Sequence, residues 1–325
     1  MKVENAVSQA IEICLRIFGI WPNISCVLLR RLFWIVTLVL QQAFQYRYII
    51  MHFHLFEFDE MTKILSAALA YTILLAKLVI FWYKQRKFNT ILTMMAADWG
   101  ERSNTKFSMS VMTCNAKLSR RFANITLCGY IVGILNVLLI NLILHISGQI
   151  DILRKSVTEI FPKEGKCSPS RSVVKEIIKK HQKVIIFSEH IEDLYSYIAL
   201  VVFVSDTLMI CFLGFTIVAS IGQPNASEII INNLVFYLVM NIEAFVFCFA
   251  GEYLSAKSKS IGDDAYDSLW YKSNSRDSRI ILLLIMRSQN QLTITIGKIM
   301  NLSLEQFSSI QKASASYMSV LFAMY

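Results

Sequence analysis

Apolar stretches long enough to cross a bilayer alternate along this chain with short polar and long basic connections. Five read cleanly: residues 32–56, 61–83, 195–221 and 229–254, and a last stretch that reaches the C-terminal Tyr325. A helix of about 20 apolar residues covers the ~30 Å hydrocarbon layer of a membrane. A sixth stretch, residues 122–147, reads FANITLCGYIVGILNVLLINLILHIS and holds no Asp, Glu, Lys or Arg. Ahead of the first span, Ile11, Cys14, Leu15 and Phe18 recur at helical spacing. They predict a short interfacial helix that stops at the Gly19/Pro22 break. Helical spacing also runs through 173–186. The pattern predicts an all-α fold, a polytopic membrane helical bundle with six recognisable spans.

Charge then orients the bundle. Of the 32 Lys and Arg, four lie in residues 1–31, eight in 84–121, nine in 148–194 and six in 255–291. The two short connections, 57–60 and 222–228, carry none. Cytoplasmic loops collect Lys and Arg, so the N-terminus and the three long loops are expected in the cytoplasm. The net charge of +9 therefore reflects topology and implies no nucleic-acid partner. Asn225-Ala-Ser sits in a short loop and fits an external glycan site. The sequons at Asn23, Asn124 and Asn301 fall where glycosylation does not reach. No cleavable signal peptide is expected, because Glu4, Glu12 and Arg16 interrupt the first 20 residues.

The same rule creates a conflict at 122–147. A helix of this length, about 39 Å, crosses once and is too short to cross twice. Both of its flanks are basic and look cytoplasmic, yet one crossing would put them on opposite sides.

Composition adds little chemistry. Hydrophobic residues make up 55% and charged ones 17%, below the ~25% of soluble domains. The seven Cys form no C-x-x-C pair, so neither a disulfide framework nor a zinc site is expected. His54 and Asp59 have an acyltransferase-like H-x-x-x-x-D spacing, but two fixed positions at a span end carry no context. With no phosphate loop, serine elbow or metal-spaced His pair, the chain reads as a non-enzyme without cofactor. Charges inside spans are better leads, because lipid penalises them unless they face a bundle interior or a water-filled cavity. Lys77 is read as snorkelling to the headgroups, and Arg47 as a partner for Glu243, with Asp206 the remaining acid. In the last span Glu305, Ser309, Lys312, Ser316, Val320 and Ala323 form one helical stripe. Such a stripe lines either an aqueous path or a helix–helix seam, and Val320 is placed to form an apolar constriction.

Four blocks resemble the insect odorant receptor family. They are His145-Ile-Ser-Gly-Gln to Leu153; His181-Gln to Ile191-Glu; Asp264-Ala-Tyr to Trp270-Tyr271; and a tail of Arg287-Ser-Gln-Asn-Gln-Leu-Thr-Ile-Thr, Leu302-Ser-Leu-Glu-Gln-Phe and Ser314-Ala-Ser-Tyr-Met-Ser-Val. Ile17-Phe-Gly-Ile-Trp-Pro22 adds an N-terminal match. The resemblance implies a seven-span subunit of an odorant-gated, non-selective cation channel in the plasma membrane of sensory neurons. The subunit is expected to assemble with a common co-receptor, as a heteromeric tetramer. A small volatile ligand is expected in a pocket that includes Tyr71, Phe236 and Tyr237. Residues 1–254 would form the bundle with this pocket. Residues 255–325 would form the cytoplasmic anchor, with Trp270 and Tyr271 packing there, and a pore-lining helix narrowed near Ser316, Val320 and Met324. A gustatory-type receptor or a secondary transporter is the alternative.

The resemblance also gives 122–147 a cause. Its first part looks like the start of the family's third span, and residues from about 135 look like the end of the fourth. The segment between is missing relative to the family pattern. That leaves six spans where seven are expected, an incomplete pocket and impaired activity. Either the second half of the chain inverts, or 122–147 enters as a re-entrant turn around Gly129 and Gly133. Length and hydrophobicity favour a single plain helix.

Overall fold

A computed structural model describes residues 7, 9–22, 25–52, 58–101, 106–127, 132–160, 171–220, 226–272 and 274–324. Among them are ten α-helices: α1 (Gln9–Ile17), α2 (Val27–His52), α3 (Phe58–Tyr83), α4 (Gln85–Glu101), α5 (Lys106–Leu127), α6 (Val132–Ile160), α7 (Arg171–Ala219), α8 (Ala226–Asp267), α9 (Ser275–Ser288) and α10 (Leu304–Met324). A 3-10 turn (Trp270–Lys272) and two short antiparallel strands, β1 (Thr295–Ile296) and β2 (Met300–Asn301), complete the order. The protein is thus nearly all helical. Among the described residues, stretches of α2, α6, α7 and α8 are long and apolar enough to cross a membrane. The α3–α4 pair, bent by 67°, makes a fifth if taken as one span.

The expected single helix over 122–147 does not form. The run is divided between the end of α5 and the first half of α6, and residues 128–131 lie outside the described residues. Asn115 on α5 donates to the Leu144 carbonyl of α6 at 3.0 Å. Gly148 lies against Asn115 and Met112, so close that a Cβ there would meet Asn115 Nδ2 at 2.9 Å. Stepping forward on α6 from 144 to 148 thus means stepping back on α5 from 115 to 112. The two helices are an antiparallel hairpin. Its ends return together, with Lys155 of α6 lying 3.6 Å from the Phe107 ring of α5. A hairpin lets both basic flanks share one side, which removes the conflict. The run of uncharged residues concealed the reversal of direction between α5 and α6, and Gly129 itself lies outside the described residues.

The long loops are not loops either. Residues 173–186 and 195–219, read as parts of separate elements, belong to one continuous helix, α7. The 49 residues of α7 extend about 74 Å, more than twice the hydrocarbon layer. Likewise α8 continues past its apolar part to Asp267.

The chain divides into two units, each built from several segments. Residues 1–12, 86–194 and 250–294 make the first. Its interior holds a polar knot: Asp98 of α4 accepts from Gln149 at 2.5 Å, pairs with Lys183 of α7 at 2.5 Å and lies 3.0 Å from His145 Nε2. His145 and Gln149 are four residues apart and share one face of α6, both buried. Buried polar groups need such partners, so the first resemblance block is a packing motif here. A second set joins α6 to α8: Lys257 reaches Asp151 at 2.7 Å and Arg154 reaches Asp264 at 2.6 Å.

Residues 13–85, 195–249 and 295–325 make the second unit. Helix α1 ends as predicted, and Gly19 adopts a φ of +65°, which only glycine takes without strain. Trp82 at the end of α3 donates to the Phe18 carbonyl at 3.1 Å, and Arg31 of α2 donates to that of Gly19. The Ile17–Pro22 block therefore ties the ends of α2 and α3 together. Helix α2 turns Leu28, Phe33, Phe44 and Ile50 outward, as a lipid-facing helix does.

Candidate ligand site and pore helix

Charge placement inside the second unit departs from expectation. Lys77 is only 1% exposed and does not snorkel; it is bonded to Glu243 of α8. Arg47 is exposed near the end of α2 and is not the partner of Glu243. The physical reason lies in the helix faces. Lys77 faces inward from α3, where its amine meets a carboxylate instead of water, and a buried charge needs such a partner. Asp206 of α7 is 2% exposed and interacts electrostatically with both Glu243 and Lys77. Its Oδ2 has no hydrogen-bond partner.

One turn along each helix from these charges lies an apolar layer. Ile73 of α3, Met209 of α7 and Met240 of α8 pack together, with Leu69, Val201 and Phe236 against them. Three helices therefore present a matched pair of levels, one charged and one apolar and Met-rich.

Next to this core stands α10. Tyr237 donates its hydroxyl to Gln311 Oε1 at 3.3 Å, linking α8 to α10. Cys211 of α7 approaches the Ser314 carbonyl at 3.9 Å, and Phe245 meets Phe307 edge-on at 5.8 Å between centroids. A Cβ on Gly214 would collide with Met318 Sδ, so the missing side chain of α7 is what seats α10 there. At its start α10 follows a tight turn. Gly297 and Lys298 have φ of +60° and +64° and are the two central residues of the turn that the Ile299 N–H closes on the Ile296 carbonyl at 3.0 Å. Ser196 of α7 grips that turn: its carbonyl accepts from Gly297 N at 2.9 Å and its Oγ from Lys298 N at 3.0 Å.

The model of the 7tm Odorant receptor family matches residues 125–315, which include α6 to α9 and the first half of α10. The chain belongs to this family. Odorant receptor 67c of Drosophila melanogaster is 30% identical over 149 residues, 46% of this chain and 36% of that protein. Odorant receptor 10 of Aedes albopictus is 30% identical over 150 residues, 46% and 39% of the two chains. The matched part thus spans less than half the length of these relatives. The olfactory receptor OR5 of Machilis hrabei, solved in complex with eugenol, has the same fold: the TM-score is 0.76 at 12% identity, covering 97% of both chains.

In this odorant receptor chain the residues expected at the ligand site separate. Phe236 joins the apolar layer and Tyr237 bonds α10, while Tyr71 is 39% exposed on α3. Ser316 and Val320 lie on an exposed face of α10, Val320 at 58%. The Met324 side chain and the glycan candidate Asn225 lie outside the described residues, as do Asn23 and His54. Trp270 is half-buried and its carbonyl accepts from Ser278 at 2.8 Å, whereas the Tyr271 ring is exposed and meets only Trp270 among the ring contacts described. Sequence patterns did not reveal Lys77–Glu243, Gln311, Ser196 or Gly214. The last had a signal, a lone glycine in an otherwise bulky span.

Proposed function

We propose that this chain is an odorant-gated channel subunit, non-catalytic, that conducts cations together with a family co-receptor as a heteromer in sensory neuron membranes. Ligand binding shifts a closed population towards an open one by favouring the open state, as any ligand-driven switch requires. The observation that carries this reading is the Tyr237–Gln311 hydrogen bond. It couples a helix of the apolar core directly to α10, the helix whose exposed face holds Ser316 and Val320. A ligand that repacks Phe236 and Met240 displaces Tyr237 and so moves α10. The α5–α6 hairpin keeps the basic flanks on one side, which supports a membrane orientation with the N-terminus in the cytoplasm.

Co-expression of the chain with the co-receptor in oocytes, followed by an odorant panel, tests this. Ligand-evoked cation current is expected. Substituting Tyr237→Phe removes about 1 kcal/mol of coupling and shifts the half-maximal concentration by roughly fivefold. Uptake of a labelled solute without any evoked current would replace the channel reading with a transporter.

A further inference from the structure

The polar level beneath the apolar layer has one acid more than it has bases. It contains two acidic side chains, Glu243 and Asp206, and one basic one, Lys77, which is already bonded to Glu243. Asp206 Oδ2 is left buried and without a hydrogen-bond partner. An unpaired buried acceptor is costly and persists where a partner completes it. The partner that fits is a single cationic donor. A bare metal ion needs a shell of several oxygens, and no group of three or more His, Cys, Asp and Glu occurs among the described residues. An ammonium needs one to three acceptors. One turn away, Ile73, Met209 and Met240 provide an apolar bed whose two thioethers repack readily around a hydrocarbon.

We propose that Asp206, with the Lys77–Glu243 pair beside it, is the polar end of a site for small alkyl amines. The ammonium donates to Asp206 Oδ2, and the alkyl body lies against Ile73, Met209 and Met240. This rests on the reading of the chain as a ligand receptor and adds the ligand class. A bound ammonium keeps Asp206 ionised beside it, so that the level carries two positive and two negative charges, which a neutral odorant does not achieve.

Binding to the purified full-length chain tests the site without any need for current. Hexylamine and 1-hexanol have equal hydrocarbon bodies, and hexylamine is protonated at pH 7.4, as a lysine-like amine is. Hexylamine is expected to displace a labelled copy of itself and to raise the melting temperature, with hexanol at least roughly tenfold weaker. Asp206→Asn is expected to weaken hexylamine at least roughly tenfold and leave hexanol unchanged, while Asp206→Glu retains most of the affinity. The Asn variant is expected to fold, because the oxygen it alters accepts no hydrogen bond, and its unliganded melting curve checks this. Equal binding of the two ligands overturns the proposal. So does an Asp206→Asn variant that folds and binds hexylamine normally, or a melting shift that depends on Asp206 with sodium replacing choline and not with hexylamine. A chain that binds hexylamine but passes no current would refute the channel reading and leave this site standing.

Discussion

Lys77 shows how a single side chain is decided by its surroundings. Six residues from the end of an apolar run, its stem is long enough to reach water, and nothing local forbids that. What prevents it is Glu243, 166 positions away in the chain. Breaking a buried pair by removing one partner costs about 3–5 kcal/mol, because the other charge is stranded. Lys77→Met is therefore expected to lower the thermal stability of the purified chain sharply, and Lys77→Met with Glu243→Gln to restore most of it. A double variant no better than the single one would show that the two charges act independently. His181 makes a second residue-level prediction. Burial, then the nearby positive charge of Arg287, lowers its pKa from 6.5 to about 4. It lies on the part of α7 ahead of the span at 195–221. The folded chain holds this imidazole neutral, whereas the unfolded chain protonates it below about pH 6.5. Its contribution to stability is thus unaffected above pH 6.5 and is lost as pH falls from 6.5 towards 4. Melting temperatures measured at pH 7.5 and 5 should differ less in a His181→Gln variant than in the natural chain.

At the scale of elements, two close approaches set which helices lie together. Gly148 admits α5 against α6, and Gly214 admits Met318 of α10 against α7. Met318 is flexible and yields part of the space, so Gly214→Ala is expected to cost about 1–3 kcal/mol and to displace α10. In the channel assay this should change the unliganded open fraction, while Ala at Gly100, which has open space around it, should change nothing. The helices themselves were largely legible. Over the described residues the spans at 32–56, 61–83 and 229–254 fall in α2, α3 and the apolar part of α8, because a run of apolar residues in lipid has no other way to satisfy its backbone. Helix ends hidden inside apolar runs were not legible, and neither was the continuity of α7 through its charged half.

For the whole molecule, topology is the property that follows from the parts. With α5 and α6 as a hairpin, the two basic flanks 84–121 and 148–194 are expected on one side of the membrane and the Asn225 sequon on the other. Translation in microsomes is expected to glycosylate Asn225, and a glycan acceptor introduced within 161–170 is expected to stay unmodified. Modification of the introduced site with none at Asn225 would mean that the second half of the chain is inverted. The four resemblance blocks point to the family through contiguous residues alone, and the family match over 125–315 agrees. They point less well to site geometry. Tyr71, Phe236 and Tyr237 are all aromatics on span faces, and only the packing of three helices shows which of them meets the apolar layer.

Contiguous residues alone mark this as a multi-pass helical membrane protein of the odorant receptor family. Hydrophobicity, charge asymmetry and local motifs are properties of contiguous residues, so they survive in one dimension. Tertiary structure alone decided that 122–147 folds back on itself, that Lys77 answers Glu243 and that Asp206 is left with an unsatisfied oxygen. Each of these depends on which faces of distant helices meet. No local pattern encodes that, because a bilayer satisfies every apolar face equally and leaves the choice to a few small residues and buried charges.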